Sequence, residues 1–144
     1  MIPVRAEALI ELRACYAQLA LELQPLQRRC DARGYCCNFK AAGHRLYVTP
    51  LEAVMMSQAG VEPNLEQAAS GTCPYLKGSL CGVREHRALG CRIYFCDTTY
   101  EDQRNALYEK YLARVREIEA RFGIEPGYTN VTEVDFNELA QVPA

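Results

Sequence analysis

The hydrophobic pattern at the N-terminal end of the chain predicts an amphipathic helix over about residues 3–24. Its apolar positions recur at alternating steps of three and four: Leu9, Leu12, Tyr16, Leu19 and Leu23. This spacing places them on one face of an α-helix, with the charged residues elsewhere. Pro25 is expected to end or kink the helix, because its ring removes an amide donor and clashes with the preceding turn.

A second long helix is predicted over about residues 100–122, after Asp97-Thr98-Thr99. Its apolar positions share one face: Tyr100, Leu107, Tyr111, Val115, Ile118 and Phe122. Gly123 is expected to end it, because glycine favours the left-handed conformation that follows a helix. Two long helices with one apolar stripe each must bury those stripes on each other or on the segment between them.

Shorter elements are predicted between and after the two helices. Thr49, Pro50 and Glu52 have the order of a capping box with proline at the first helical position, and Gly60 is expected to close that short helix. Residues 46–48 are expected to form a short strand. Val131, Val134 and Phe136 are expected to lie in an extended C-terminal tail that packs back on the body.

The composition suits one soluble domain spanning residues 1–144. Charge is balanced, with 16 Lys+Arg against 18 Asp+Glu and a hydrophobic share of 49%, so we expect neither a nucleic-acid partner nor intrinsic disorder. Arg5, Glu7, Glu11 and Arg13 interrupt the apolar N-terminal segment, and no run approaches the ~20 apolar residues of a membrane span. We therefore expect no membrane association and a cytoplasmic location, where thiols stay reduced.

Cysteine is the unusual component. Seven of the eight cysteines lie between positions 30 and 96: Cys30, Cys36, Cys37, Cys73, Cys81, Cys91 and Cys96. Cys15 stands apart on the first helix beside Tyr16, where a small apolar residue is the simpler interpretation. The fold expected is therefore mainly α, with two long amphipathic helices around a cysteine-rich, loop-rich, metal-binding middle.

Three kinds of chemistry compete for these cysteines. Disulfides suit an exported chain, leave one of seven thiols over, and bridge adjacent residues such as Cys36 and Cys37 poorly. Structural zinc is usually held through C-x2-C pairs, which do not occur here, although His44 or His86 could join such a site. An iron-sulfur cluster accepts wider spacings, including the four residues between Cys91 and Cys96, and is the preferred reading.

Two further patterns bear on a metal site. Aromatic residues alternate with the cysteines, and they could shelter a cluster or simply form core: Tyr35, Phe39, Tyr75, Tyr94 and Phe95. Residues 28–96 hold nine basic and five acidic residues, a balance of +4, whereas the flanks hold seven basic and thirteen acidic residues. Such an excess of positive charge would favour thiolates and would offset the negative charge of a metal-thiolate centre. The alternative is that the excess reflects only the ordinary variation of surface charge.

Residues 30–96 also resemble a known family. The segments are Cys30-Asp-Ala-Arg-Gly-Tyr-Cys-Cys37, Leu46-Tyr-Val-Thr49 with Glu52, Cys73-Pro-Tyr-Leu76, Cys81-Gly-Val-Arg-Glu-His-Arg87 and Cys91-Arg-Ile-Tyr-Phe-Cys96. Their order and spacing resemble the YkgJ-type cysteine-cluster family, described as a zinc- or iron-chelating domain. The resemblance implies a metal site, and a related cluster in flagellin lysine N-methylases extends the implied roles to redox chemistry and methyl transfer.

The chain departs from that family at two positions. Arg33 stands where the family usually has a cysteine, so one potential ligand is absent, and Arg87-Ala88 replaces the family's Arg-Pro. If the family's cysteines serve two sites, the change at Arg33 would leave one four-thiolate site with spare thiols.

The preferred hypothesis is a binding module that holds a [4Fe-4S] cluster for electron transfer, for sensing or as an accessory subunit with a protein partner. A structural zinc module that binds a protein, and a component of a protein-modifying methyl-transfer enzyme, are the alternatives. Phosphate-binding and H-E-x-x-H motifs are absent, and a Cys81-His86 nucleophile pair needs more assumptions than a metal thiolate. The sequence leaves open whether the protein is an enzyme.

Overall fold

The computed structural model describes residues 4–26, 45–78, 80–93 and 100–139. Over these ranges the helices are α1 (Ala6–Leu23), α2 (Pro50–Ser57), α3 (Leu65–Ala69), α4 (Leu89–Ile93) and α5 (Glu101–Arg121). The strands are β1 (Tyr47–Val48), β2 (Leu76–Lys77), β3 (Leu80–Cys81) and β4 (Thr129–Asn130). Short 3-10 turns occupy Gln24–Leu26, Arg84–His86 and Val131–Glu133. The mainly helical fold with two long helices is confirmed.

Helices α1 and α5 lie antiparallel. Glu22 near the end of α1 pairs with Lys110 at 2.8 Å, and Glu11 pairs with Arg121 at the end of α5. Between them lies the larger of two hydrophobic clusters, the first cluster: Val4, Ala8, Leu9, Leu12, Cys15, Tyr16, Leu19, Leu23, Leu51, Val54, Met55, Leu89, Ile93, Tyr111, Leu112, Val115, Ile118 and Ile124. The apolar stripes of the two helices are thus buried against each other and against α2 and α4.

The predicted stripes are confirmed except at one position. All five stripe residues of α1 are buried, and Pro25 lies in the turn that follows α1, as expected. On α5, Leu107 and Phe122 pack partly buried against the first cluster. The prediction that Tyr100 belongs to the buried face is wrong. Tyr100 precedes the first helical turn with φ of 63°, and it is 43% exposed. The helical period does not extend to a residue whose backbone is not helical. Gly123 has φ of 70° after α5, as predicted.

Helix α2 is central to the molecule, and its capping box is confirmed. Thr49 Oγ1 accepts a hydrogen bond from Glu52 N at 3.3 Å, and Glu52 Oε1 accepts one from Thr49 N at 3.2 Å. Leu51 and Met55 face the first cluster, whereas Met56 faces the other. Helix α2 therefore lies between the two clusters.

The second cluster is smaller and lies beside the sheets. Its buried members are Leu46, Val48, Ala53, Met56, Cys73, Tyr75, Val83, Ala88, Val131 and Phe136. Strand β1 pairs antiparallel with β4, with Tyr47 opposite Asn130 and Val48 opposite Thr129. The C-terminal tail therefore packs back on the body, as expected.

The expected extended backbone of that tail is wrong at two positions, Val131 and Phe136, and Phe136 lies in a turn in which its N donates to Val134 O at 3.2 Å. Val131 lies in a 3-10 turn, not in extended backbone, because the Asn130 side chain accepts a hydrogen bond from Thr132 N at 3.0 Å and starts the turn.

Candidate metal centre

Two of the predicted ligands, Cys73 and Cys81, lie on one hairpin. Strand β2 pairs with β3, and Leu76 is directly opposite Cys81. Leu76 N donates to Cys73 O at 3.1 Å. The side chain of Gln67 on α3 donates to the same Cys73 O at 2.7 Å and to Leu76 O at 2.9 Å. The backbone of the two cysteines is therefore held by hydrogen bonds within the hairpin and from α3.

Gly82, which directly follows β3, leaves no room for a side chain. Gly82 N donates to Tyr75 O at 2.8 Å, and a Cβ atom at Gly82 would lie 2.6 Å from that same oxygen. Because carbon and a backbone oxygen do not approach so closely, any side chain at Gly82 would displace the strand that ends at Cys81. Gly82 has a steric role that its place in the cysteine motif does not reveal.

A third predicted ligand, Cys91, lies on α4. It is half-buried and packs against the second cluster, as does Cys81, whereas Cys73 is only 3% exposed and belongs to the cluster itself. Next to it, Gly90 is fully buried against Leu46, and a Cβ atom there would collide with the Leu46 side chain. Three cysteines from a loop, a strand and a short helix thus border the same cluster.

Aromatic side chains cover part of this region. The rings of Tyr75 and Phe136 meet edge to face, with centroids 5.0 Å apart. Burial raises the pKa of Tyr75 to about 12, with a smaller contribution from Cys73 nearby. Tyr75 was considered from the sequence as either shelter or core, and it is buried core beside Cys73.

Positive charge gathers next to Cys91. Arg92 Nε donates to Arg87 O at 2.6 Å, and Arg92 Nη2 donates to Glu85 O at 2.9 Å. Burial lowers the pKa of His86, and the charges of Arg13 and Arg92 lower it further. Arg92 interacts electrostatically with both His86 and Cys91, and a cation in such a position stabilises a nearby thiolate.

Three buried charged residues were not anticipated from the sequence. Arg104 on α5 is 2% exposed and donates from Nη2 to Leu26 O at 3.0 Å. This hydrogen bond connects α5 to Leu26. In the sequence, Leu26 precedes the segment that carries Cys30, and α5 follows the segment that carries Cys96. A signal was available, because position 104 falls on the stripe of α5, seven residues before Tyr111.

The other two are the carboxyl groups of Glu52 and Glu119. Glu52 is 1% exposed and Glu119 is 3% exposed. Burial raises the pKa of each above 4.5, and the hydrogen bonds that each accepts lower it in part. The sequence identifies Glu52 as a helix cap and as part of the segment Leu46-Tyr-Val-Thr49 with Glu52 that carries the family resemblance, whereas Glu119 gives no signal beyond its place next to Ile118.

Cys15 lies in the first cluster and is 8% exposed. Burial is the main cause that raises the pKa of its thiol. A thiol that is buried among apolar residues and protonated behaves as a small hydrophobic group. This agrees with the interpretation of Cys15 as packing and not as a ligand.

The remaining predicted ligands, Cys30, Cys36, Cys37 and Cys96, lie outside the described residues, as do His44, Arg33 and most of the aromatic residues named with them. Within the ranges that the structure describes, there is no group of three or more His, Cys, Asp or Glu side chains placed to hold a metal ion. The thiol groups fit the donor chemistry of zinc and iron-sulfur centres. A four-ligand site would need cysteines from the segments outside the described ranges.

Comparisons of the chain with protein-family models, with curated proteins and with solved structures found no match. The resemblance to the YkgJ-type family therefore stays a prediction. In the described part of the chain, no helix combines the length and the apolar character that crossing a membrane requires.

Proposed function

We propose that the protein holds a [4Fe-4S] cluster and acts in electron transfer, in sensing or as an accessory subunit of a protein partner. The ligands would be drawn from Cys30, Cys36, Cys37, Cys73, Cys81, Cys91 and Cys96. Such a cluster supplies one-electron redox chemistry when bound. The chain's own residues would bind it, exclude water and set its charge environment.

The observation that supports the proposal most is the common location of Cys73, Cys81 and Cys91. Cys73 is a buried member of the second cluster, and Cys81 and Cys91 pack against it. An apolar surrounding with few water molecules also suits a cluster, because burial and hydrogen bonds to sulfur set its potential.

The local charge favours the same chemistry. A [4Fe-4S] centre with four thiolates carries net negative charge, which an apolar surrounding disfavours unless cations lie nearby. Arg92, the residue after Cys91, provides positive charge on that side, with Arg87 close enough to interact with Arg92. Arg104 adds a buried guanidinium that donates to Leu26 O in the turn after α1.

The test is metal analysis of the full chain purified without oxygen. We expect about four iron atoms and about four acid-labile sulfides per chain, with a broad visible absorption band. Cys91→Ser should lose most of the iron and the band. Cys15→Ser is the matched control and should keep both, because Cys15 is buried in the other cluster.

Other outcomes identify the competing chemistry. A colourless protein with one zinc per chain would reject the cluster in favour of a structural zinc site. Few reactive thiols in denaturant with chelator would indicate disulfides. Equal loss of iron in Cys91→Ser and Cys15→Ser would contradict the proposed ligand set.

A further inference from the structure

Helix α4, which carries Cys91, is attached to the rest of the protein by a buried carboxylate. Glu52 Oε2 accepts a hydrogen bond from Leu89 N at 2.6 Å and another from Tyr16 OH at 3.1 Å. Leu89 is the first residue of α4, two positions before Cys91. The carboxylate therefore binds a backbone amide that the helix itself leaves without an acceptor.

A second attachment lies on the other side of Cys91. The guanidinium of Arg92 stacks over the ring of Tyr16, 4.0 Å from its centroid. Tyr16 thus contacts α4 directly through its ring and indirectly through the hydroxyl that it donates to Glu52. Leu89 and Arg92, which flank Cys91, are both held by the same pair of side chains.

The two oxygens of Glu52 have different tasks. Oε1 completes the capping box of α2 by accepting from Thr49 N at 3.2 Å. This task alone would be satisfied by one oxygen on a partly exposed side chain. Instead Glu52 is 1% exposed, and its Oε2 accepts hydrogen bonds from Leu89 N and Tyr16 OH. Burying a carboxyl group is costly unless its hydrogen bonds replace water, so an arrangement used for packing alone would be served better by an apolar residue.

Helix α4 also depends on such contacts for its position. It is five residues long, and a helix of this length does not persist without tertiary contacts. Gly90 allows it to lie directly against Leu46. The angle at which α4 presents Cys91 is therefore decided by the groups that hold its ends.

We propose that Tyr16 and Glu52 are positioning residues for Cys91: together they fix the ends of α4 so that the Cys91 thiol is held at the edge of the second cluster. The benefit of this positioning rests on the proposed function: a ligand that is already held in place loses less conformational entropy when metal binds. The anchoring of α4 is distinguished from metal binding by measuring the metal content of each variant and comparing it with the wild type at equal metal content.

The experiment compares Glu52→Met with Glu119→Met in the full chain, purified without oxygen and carrying whatever metal it holds. Both substitutions replace a buried carboxyl group with an apolar side chain of similar length. Glu119 Oε2 accepts from Leu51 N at 2.9 Å, so both also remove an acceptor from the first turn of α2. They differ in their partners. The Glu119 carboxylate accepts a hydrogen bond from Leu51 of α2, whereas the Glu52 carboxylate accepts one from Thr49 and one from Leu89 of α4. Two rates are measured: amide hydrogen exchange at Leu89, and alkylation of Cys91 by iodoacetamide relative to Cys15.

We expect Glu52→Met to raise both rates by about tenfold or more, because a buried amide loses its acceptor. Glu119→Met should leave both within about twofold of the wild type. Tyr16→Phe keeps the ring under Arg92 and removes only the hydroxyl, so a smaller rise, about two- to fivefold, is expected. Tyr16→Phe also decides the matter if Glu52→Met does not fold.

The proposal is overturned if Glu52→Met and Tyr16→Phe leave both rates unchanged, or if Glu119→Met changes them as much as Glu52→Met does. Iron and zinc analysis of the wild type reports on the proposed function independently. A wild type without metal would reject a ligand role for Cys91, whereas the exchange rates would still decide whether the pair anchors α4.

Discussion

Two glutamate side chains, Glu119 and Glu22, have carboxyl groups whose pKa values are shifted in opposite directions. Glu119 on α5 accepts from Leu51 N at 2.9 Å and is 3% exposed. Glu22 is its opposite: it lies at the surface, where hydrogen bonds from Lys110 and Tyr111 lower the pKa of its carboxyl group. Burial, by contrast, raises the pKa of Glu119.

We predict that these two residues contribute to stability with opposite pH dependence. Since the pKa of Glu119 is raised above 4.5 in the folded state, folded chains bind more protons there than unfolded chains, and the free energy of unfolding falls as pH rises. The stability advantage of the wild type over Glu119→Gln should be largest below pH 4.5 and should shrink as pH rises through the folded pKa. Urea unfolding at a series of pH values measures it.

Glu22→Gln is the control for that series. Its folded pKa lies below 4.5, so the advantage of the wild type over Glu22→Gln should be present above pH 4.5 and be lost as pH falls. The same sign for both variants would contradict the assignment of burial to Glu119.

Helix α1 has two apolar faces of different kinds. Leu12 is fully buried in the first cluster, whereas Ile10, on the same helix, is 61% exposed. Composition does not distinguish the two residues, since both are large and aliphatic. Only its spacing of three residues from Leu9 and four from Tyr16 assigns Leu12 to the core.

We predict that Leu12→Ala lowers the free energy of unfolding by about 2–5 kcal/mol, because it removes buried methyl groups and leaves a cavity between α1 and α5. Ile10→Ala on the same helix should change it by no more than about 0.5 kcal/mol. Urea unfolding followed by circular dichroism measures both. Equal losses would mean that Ile10 is covered in solution, for example by a partner.

The molecule as a whole is built around two clusters with α2 between them. The first cluster joins the long helices, and the second cluster borders the cysteines. The first cluster consists mainly of aliphatic and aromatic side chains on long helices. The second is assembled from short strands, turns and a short helix, which have little stability of their own.

If the proposed cluster is bound, we predict that removing it loosens the protein unevenly. Because metal binding and the folding of its site are coupled, treatment with a chelator should lower the hydrogen-exchange protection of the β2–β3 hairpin and α4 by about tenfold or more. The amides in the middle of α1 and α5 should keep most of their protection. Exchange measured by mass spectrometry on the full chain gives both values.

Two results would contradict this prediction. Equal loss of protection in α1 and α5 would mean that the clusters unfold as one unit. Unchanged protection of the hairpin after complete metal removal would mean that no metal stabilises it.

Local rules explain why much of this fold could be read from the amino acids. The steps of three and four, the Thr49-Pro50-Glu52 cap and the left-handed Gly123 depend only on neighbours along the chain, and all are present. The failures also have local causes: Tyr100 precedes the helical backbone, and Asn130 turns the chain at Val131. Spacing likewise separated Cys15 from the seven clustered cysteines.

Contacts between distant residues carry no such pattern. The two bonds from Glu52 to Leu89 and Tyr16 cross 37 and 36 positions, and the burial of Arg104 and Glu119 follows from which faces of α1, α2 and α5 meet. A helical period says which residues share a face but not what that face will touch. Periodicity and capping are properties of a short segment, whereas burial, altered pKa values and the packing of Cys73, Cys81 and Cys91 in or against the second cluster exist only once separate segments pack together.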